Sequence, residues 1–302
     1  MRVSIIWSFA AVVLCIACAQ SPGSGVVPLS GTNAMSHVRA MVAFGPRPAG
    51  SEALQECRDY VTQQLKGFGY AVDEDAFEAQ TPYGTKHMVN LIAHKGASSK
   101  GIIALASHYD TATKESFKFV GANDGGSSTG LLLELARVLA GNKDELEYRF
   151  LFLDGEEAFV EWSSFDSTYG SRHLARKWKE DGTAARVRAL ILLDMIGDKN
   201  LDILKDRYST RWLSDLVWET AANAGLQGIL SGQESYIEDD HIAFLDAGIP
   251  CLDLIDLNYG PNNSYWHTKE DTLDKISGES MEKTGKLVLA VLPFLQKKLS
   301  GR

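Results

Sequence analysis

Three observations predict an α/β fold, a single-domain three-layer sandwich with a central mixed, mostly parallel sheet and helices on both faces. Short apolar runs alternate with amphipathic helical stretches along most of the chain. The runs are nearly continuous in Leu, Ile, Val and Phe, the pattern of strands covered on both faces rather than half in water. Three of them stop at acids or histidine: "IIALAS" at His108 and Asp110, "FLFL" at Asp154–Glu157, and "ALILL" at Asp194. In open α/β sheets ligands bind at that carboxyl edge.

Residues 1–17 read as an export signal: Arg2 is the charged start, and Val3–Ala17 is almost wholly apolar yet short for a membrane span. Cys18 follows the small Ala17 and precedes the flexible "AQSPGSG", so residues 18–31 read as a linker and Cys18 as a lipidation candidate. The expectation is an exported protein, periplasmic or anchored to the outer membrane through lipid on Cys18, or else freely secreted. Residues 33–43 and 52–67 carry helical spacing, with "GPRPAGS" as the turn between them and Ser51 starting the second helix. Strands follow at "HMVNLIAH" and "GIIALASHYD". Next come the helix "TGLLLELARVLAG", closed by Gly141, and the strand "YRFLFLD". "RALILLDMIG" and "IPCLDLID" repeat the strand pattern, while residues 210–224 and 279–299 read as covering helices. No repeat interrupts this order, so residues 32–302 form one domain.

The formal charge of −9 argues against a nucleic-acid partner, which needs clustered Lys and Arg, and favours a small or peptide substrate. Beyond the signal only Cys57 and Cys251 remain, far apart and without C-x-x-C spacing; they read as two buried free thiols.

His108, Asp124, Glu157, Asp194 and His267 stand at strand ends or in loops, and they are the imidazole and carboxylate donors that zinc takes in a catalytic site. Each alone is weak: Asp124 in "GANDGGSSTG" also suits a turn or a helix start. Glu156 and Glu157 are adjacent. On an extended chain they point apart, one toward a metal and one toward substrate. On a helix N-terminus both would instead offset its dipole.

The strings "SHYDT", "GANDGG", "LFLDGEEAF" and "LLDMIG" resemble the zinc aminopeptidase-like fold. "FVGANDG", "DGEEAFVEWSSFDSTYGSRHLA", "IEDDHIAFLDAGIP" and "YWHT" narrow the resemblance to the glutaminyl cyclases, and it runs from "GPRPAGS" to the final helix. It implies a zinc-dependent glutaminyl-peptide cyclotransferase that turns the N-terminal Gln of peptides or proteins into pyroglutamate with release of ammonia. It implies zinc held by Asp124, Glu157 and His267, with Glu156 moving the proton and Asp194 and Asp239 joined to it by hydrogen bonds. Trp162 and Trp266 would wall the pocket, although each alone also reads as core packing. His241 would orient Asp239 or Asp240. His37, His87, His94 and His173 read as surface or structural residues. His108 and Asp110 match the two-metal peptidase pattern, so the alternative is an aminopeptidase with two zincs, the second on His108 and Asp194. Ser107 and Thr129 stand where animal cyclases carry a Cys pair, and Asp253 stands where they carry His.

Overall fold

The computed structural model describes residues 27–96 and 98–300; the export signal, Cys18 and most of the linker lie outside the described residues. Helices α1 (Gly31–Ala43) and α2 (Glu52–Gly67) start at Ser30 and Ser51, whose side chains accept from the amides of Asn33 and Leu54. A serine oxygen there satisfies an amide that the first helical turn leaves free. The hairpin β1 (Ala71–Thr81) and β2 (Gly84–His94) follows, then β3 (Ile102–His108), α3 (Gly126–Leu139) and β4 (Glu147–Leu153). Helix α4 (Tyr169–Glu180) leads to β5 (Val187–Asp194), and β6 (Ile203–Asp206) to α5 (Arg211–Asn223). The chain ends through β7 (Leu230–Ser235), α6 (His241–Asp246), β8 (Cys251–Ile255) and α7 (Gly278–Leu299).

The main sheet has the order β1-β2-β4-β3-β5-β8; β4, β3, β5 and β8 are parallel, and the β1–β2 hairpin joins antiparallel at β4. Strands β6 and β7 form a separate parallel pair. Side chains of the central strands alternate between two cores. Ile103, Leu105, Phe150, Phe152, Ile191 and Leu193 pack with α1, α2, α3, α5 and α7. Ala104, Ala106, Leu151, Leu153, Leu190 and Leu192 pack with α4 and α6. Burying one such leucine or phenylalanine contributes about 1.5–3 kcal/mol, so both faces of β3, β4 and β5 hold these strands rigidly under whatever their ends carry.

Five elements lie where the sequence suggested none: β1, α4, β6, β7 and α6. β1, "AVDEDAFEAQT", is a sheet edge with mostly solvated side chains, so it lacks the apolar run that marks its neighbours. The helix read from "TGLLLELARVLAG" begins three residues earlier, at Gly126, because "GSS" is buried at its start. Cys57 and Cys251 are free and buried. Among the described residues no helix is long and apolar enough to cross a membrane.

Candidate metal centre and active site

The ends of β3, β4 and β5 bring His108, the Asp154–Glu157 turn and Asp194 to one edge, where the loops carrying Asp124 and His267 meet them. His267 Nε2 lies 3.1 Å from Glu157 Oε2 and 3.2 Å from Asp124 Oδ2. His108 Nε2 lies 3.1 Å from Asp194 Oδ1 and 3.3 Å from Asp124 Oδ1. Asp124 thus stands between two imidazoles, and two groups can each offer three donor atoms within 4.8 Å of one another: Asp124–Glu157–His267 and His108–Asp124–Asp194. Asp124 Oδ2 is buried and accepts no well-directed hydrogen bond although an imidazole faces it. Mixed carboxylate and imidazole donors converging in this way suit a divalent cation.

The scaffold of these donors is built from residues with no metal chemistry of their own. The Asp110 carboxylate accepts from the amides of Glu156 at 3.1 Å and Glu157 at 3.3 Å, fixing the turn that presents both acids. Asp271 does the same for the amides of Asn123 at 2.7 Å and Asp124 at 3.2 Å, and it also accepts from the Tyr259 hydroxyl at 2.9 Å. Gly125, with φ of +72°, lets the chain pass His108: a Cβ there would meet Asp110 O at 2.5 Å and His108 Cε1 at 3.0 Å. Gly155, with φ of +69°, turns the chain between the β4 end and Glu156, where a Cβ would strike Met88 Sδ at 2.6 Å. Two non-glycine residues at the site also adopt left-handed backbones, Met195 (φ 49°) after Asp194 and His267 (φ 54°). Such conformations persist where surrounding contacts over-determine them, often at functional sites.

Glu156 and Glu157 sit in a turn, not a helix, since α4 starts only at Tyr169. They have different partners. Glu157 belongs to the Asp124–His267 group, whereas Glu156 Oε2 lies 3.9 Å from His108 Nδ1. Burial pushes the Glu156 carboxyl well above its ordinary range; His108 opposes this, and Glu157, Asp239 and Asp240 add to it. Burial raises Glu157 too. Asp124 goes the other way: burial raises it, but His108 and His267 outweigh burial and hold it below the carboxylate range. Burial disfavours the charged form of His267, yet Glu157 and Asp124 carry its imidazole up to about 10.

The structure departs from the sequence reading in two places. Asp194 and Asp239 are buried beside Glu156, but among the described residues no direct hydrogen bond joins either to it: Asp194 turns to His108, and Asp239 Oδ2 has no partner. Ionised carboxylates only accept, so neighbouring acids hydrogen-bond only where one holds a proton. Burial and then Asp194 push Asp239 up to about 7. His241 turns to Asp206, with Nε2 3.1 Å from Oδ2, and to Asp253 at 3.9 Å, rather than to Asp239 or Asp240. His37, His87, His94 and His173 face Tyr60, Glu78, Asp73 and Asp75, in keeping with surface or structural residues.

Trp162 and Trp266 are 38% and 39% exposed, which removes the core-packing reading for both. Trp266 stacks on the His267 ring, with centroids 4.4 Å apart and an interplanar angle of 21°, and Phe119 meets the same ring edge-on. Sequence reasoning missed Asp271, Asn123 and Arg47. Asn123 Oδ1 accepts from the Gly197 amide just beyond Asp194. The fully buried Arg47 donates to the Val120 and Gly121 carbonyls at the start of the Asp124 loop.

With that geometry in place, likeness to known proteins becomes informative. Residues 90–292 match Peptidase family M28. A glutaminyl-peptide cyclotransferase of Drosophila melanogaster is 33% identical over 76% of this chain and 72% of its own length. The crystal structure of an Acidobacteriales bacterium glutaminyl cyclase superposes with a TM-score of 0.86 at 38% identity, covering 92% of this chain and 99% of that one. A Zn-dependent exopeptidase from Parabacteroides distasonis superposes with a TM-score of 0.78 at 28% identity, over 89% of this chain and 99% of that one.

Proposed function

The chain belongs to Peptidase family M28 and, within it, to the glutaminyl-peptide cyclotransferases, and from that premise we propose how its residues close an N-terminal glutamine of a peptide into pyroglutamate. The α-amine attacks the side-chain carboxamide carbon; a C–N bond forms within the residue, the carboxamide C–N bond breaks, and ammonia leaves. Glu156 takes the proton from the amine and returns it to the departing nitrogen. The observation that carries this assignment is the division between adjacent acids: Glu157 lies with Asp124 and His267, while Glu156 is buried outside that group. A general base serves best when its proton affinity lies near working pH, and burial beside Glu157, Asp239 and Asp240 moves Glu156 in that direction.

Asp124, Glu157 and His267 are the residues that would hold zinc, which supplies Lewis-acid polarisation of the substrate carbonyl when bound. Trp162 and Trp266 hold the glutamine side chain. Nucleophile and electrophile share one residue, so the main gain comes from fixing a near-attack geometry, and two partly exposed indoles supply flat walls for a short amide. Asp194 and Asp239 act through their charge and protons on Glu156 rather than on substrate.

One observation favours a second reading. The His108–Asp124–Asp194 group offers a further set of donors, as a two-zinc aminopeptidase requires. Parallel assays with Gln-peptide and Leu-peptide reporters, together with bound zinc per chain, separate the two. Ammonia release from the Gln-peptide with one zinc is the expected result. Free amino acid from the Leu-peptide with two zincs would overturn it.

A further inference from the structure

Beside α4 lies a groove that the chemistry above leaves unused. β1 and β4 each pair antiparallel with β2, so they run in the same direction, and the carboxyl end of β1 shares the sheet edge with the active site. Between that end and α4 opens a cavity of about 290 Å³ lined by Phe77, Phe165, Tyr169, Arg172, His173 and Arg176. The helix is tied directly to the catalytic turn: the Tyr169 amide donates to Gly155 O at 2.8 Å and the Thr168 amide to Glu156 O at 2.7 Å.

The charges in this groove are unbalanced. Two buried acids border the groove and both are engaged: Asp75 is taken by Lys177 at 2.6 Å and faces His173 at 3.5 Å, and Asp166 accepts from the Phe159, Val160 and Glu161 amides and from the Tyr169 hydroxyl, while Glu78 at the groove wall pairs with His87 at 2.9 Å. Arg172 spends Nε and Nη2 on the Ser167 carbonyl, at 3.1 and 2.8 Å, and lies over the Tyr169 ring. Arg176 meets only the His173 ring nitrogen, at 3.4 Å. Among the described residues neither guanidinium is in an ion pair, although the chain carries a net charge of −9. Phe77 stacks flat on His173, and Phe165 stands 83% exposed at the mouth. Phe165 follows Trp162 by three positions, a span of at most about 11 Å of backbone.

We propose that this groove receives the peptide chain downstream of the glutamine and that Arg172 and Arg176 select an acidic side chain there, at about its third to sixth position. The proposal rests on the cyclotransferase reading, which places the glutamine at Trp162. It also runs against the protein's overall field, since a net negative chain would by itself draw basic peptides.

The test compares amidated peptides that share an N-terminal Gln-Gly-Gly and continue with two Glu, two Ser or two Lys, each normalised to glutamine amide, which is too short to reach the groove. The expected order of kcat/KM is Glu above Ser above Lys, with a spread of about threefold to tenfold carried by KM and narrowing as salt is raised. The charge reversal Arg176→Glu at an exposed position is expected to abolish or invert the Glu-to-Lys ratio. Equal turnover of the Glu and Lys peptides by the unaltered protein, or a preference that survives Arg176→Glu, would overturn the proposal. Failure to turn over glutamine amide would instead sink the cyclotransferase reading, and the groove's role with it.

Discussion

Two acid-rich regions meet at the carboxyl edge of the sheet and treat the same functional group in opposite ways. In the first, Asp124 stands between His108 and His267, and two imidazoles hold it ionised. In the second, Asp239, Asp240 and Asp253 are buried together. Both oxygens of Asp240 and Asp253 and one of Asp239 lack hydrogen-bond partners. Burial first drives all three carboxyls upward; the charge of Asp194 adds to it at Asp239, and the charge of Asp239 adds to it at Asp240 and Asp253. The comparison shows that environment, not residue type, divides these acids into charge carriers suited to a cation and proton holders suited to acid–base work. Glu157 and Glu156, adjacent in sequence, are both raised by burial and divide by their partners: Glu157 joins Asp124 and His267, while Glu156 lies under the charge of Asp239 and Asp240.

The largest effect that tests the boundary comes from removing a cation-side donor. His267→Ala deletes the only imidazole of the Asp124–Glu157–His267 group, leaving two carboxylates facing each other. Bound zinc, measured after dialysis, is expected to fall below stoichiometry and cyclisation to drop to background. An enzyme that kept full zinc and turnover without His267 would place the cation elsewhere.

On the other side of the boundary the outcome divides differently. Glu156→Gln removes a proton carrier but not a donor of that group, so zinc content is expected to match the unaltered protein while kcat falls about 10²–10⁴-fold, the usual range for a general acid–base group. Loss of zinc together with kcat would mean that the two adjacent glutamates share one role and that the division drawn here is false.

Most of the central sheet was legible in the sequence because β3, β4, β5 and β8 are buried on both faces and therefore appear as unbroken apolar runs. The convergence of His108, Glu157 and Asp194 was legible for a related reason: three parallel strands that end on ionisable residues must bring those residues to one edge. What held them there was not. Asp271 lies 147 residues from the Asp124 amide it secures, inside "TKEDTLDK", where one more acid among others carries no local mark. β1 escaped notice because an edge strand needs only half its side chains apolar, and here fewer are. The partners of His241 were misjudged because sequence proximity to Asp239 and Asp240 suggested contact. The α6 helix instead starts at His241 and turns its ring toward the end of β6 and the middle of β8.

The smallest effect tests whether the boundary extends beyond the site, to the two aspartates on either side of His241. Burial acts to raise Asp206, but hydrogen bonds from His241 and Ser209 outweigh it and leave this carboxyl below its ordinary value. Burial raises Asp253 well above its own, and Asp239 and Asp194 raise it further. A depressed folded-state pKa contributes stability that is present above the unfolded value and lost as pH falls through the folded one; a raised pKa contributes stability that is present below the unfolded value and lost as pH rises. Asp206→Asn should therefore cost on the order of 1 to 2 kcal/mol near neutral pH, since Asp206 accepts several charge-assisted bonds, and the cost should shrink only as pH falls below the ordinary carboxylate value of about 4. Asp253→Asn should do the reverse and gain on the unaltered protein as pH rises above the ordinary carboxylate range, because the replacement never acquires a buried charge. Denaturant midpoints of both variants from about pH 2 to about pH 8 read the two slopes directly. Slopes of the same sign would mean that the two aspartates share one protonation state and that the boundary stops at Glu156.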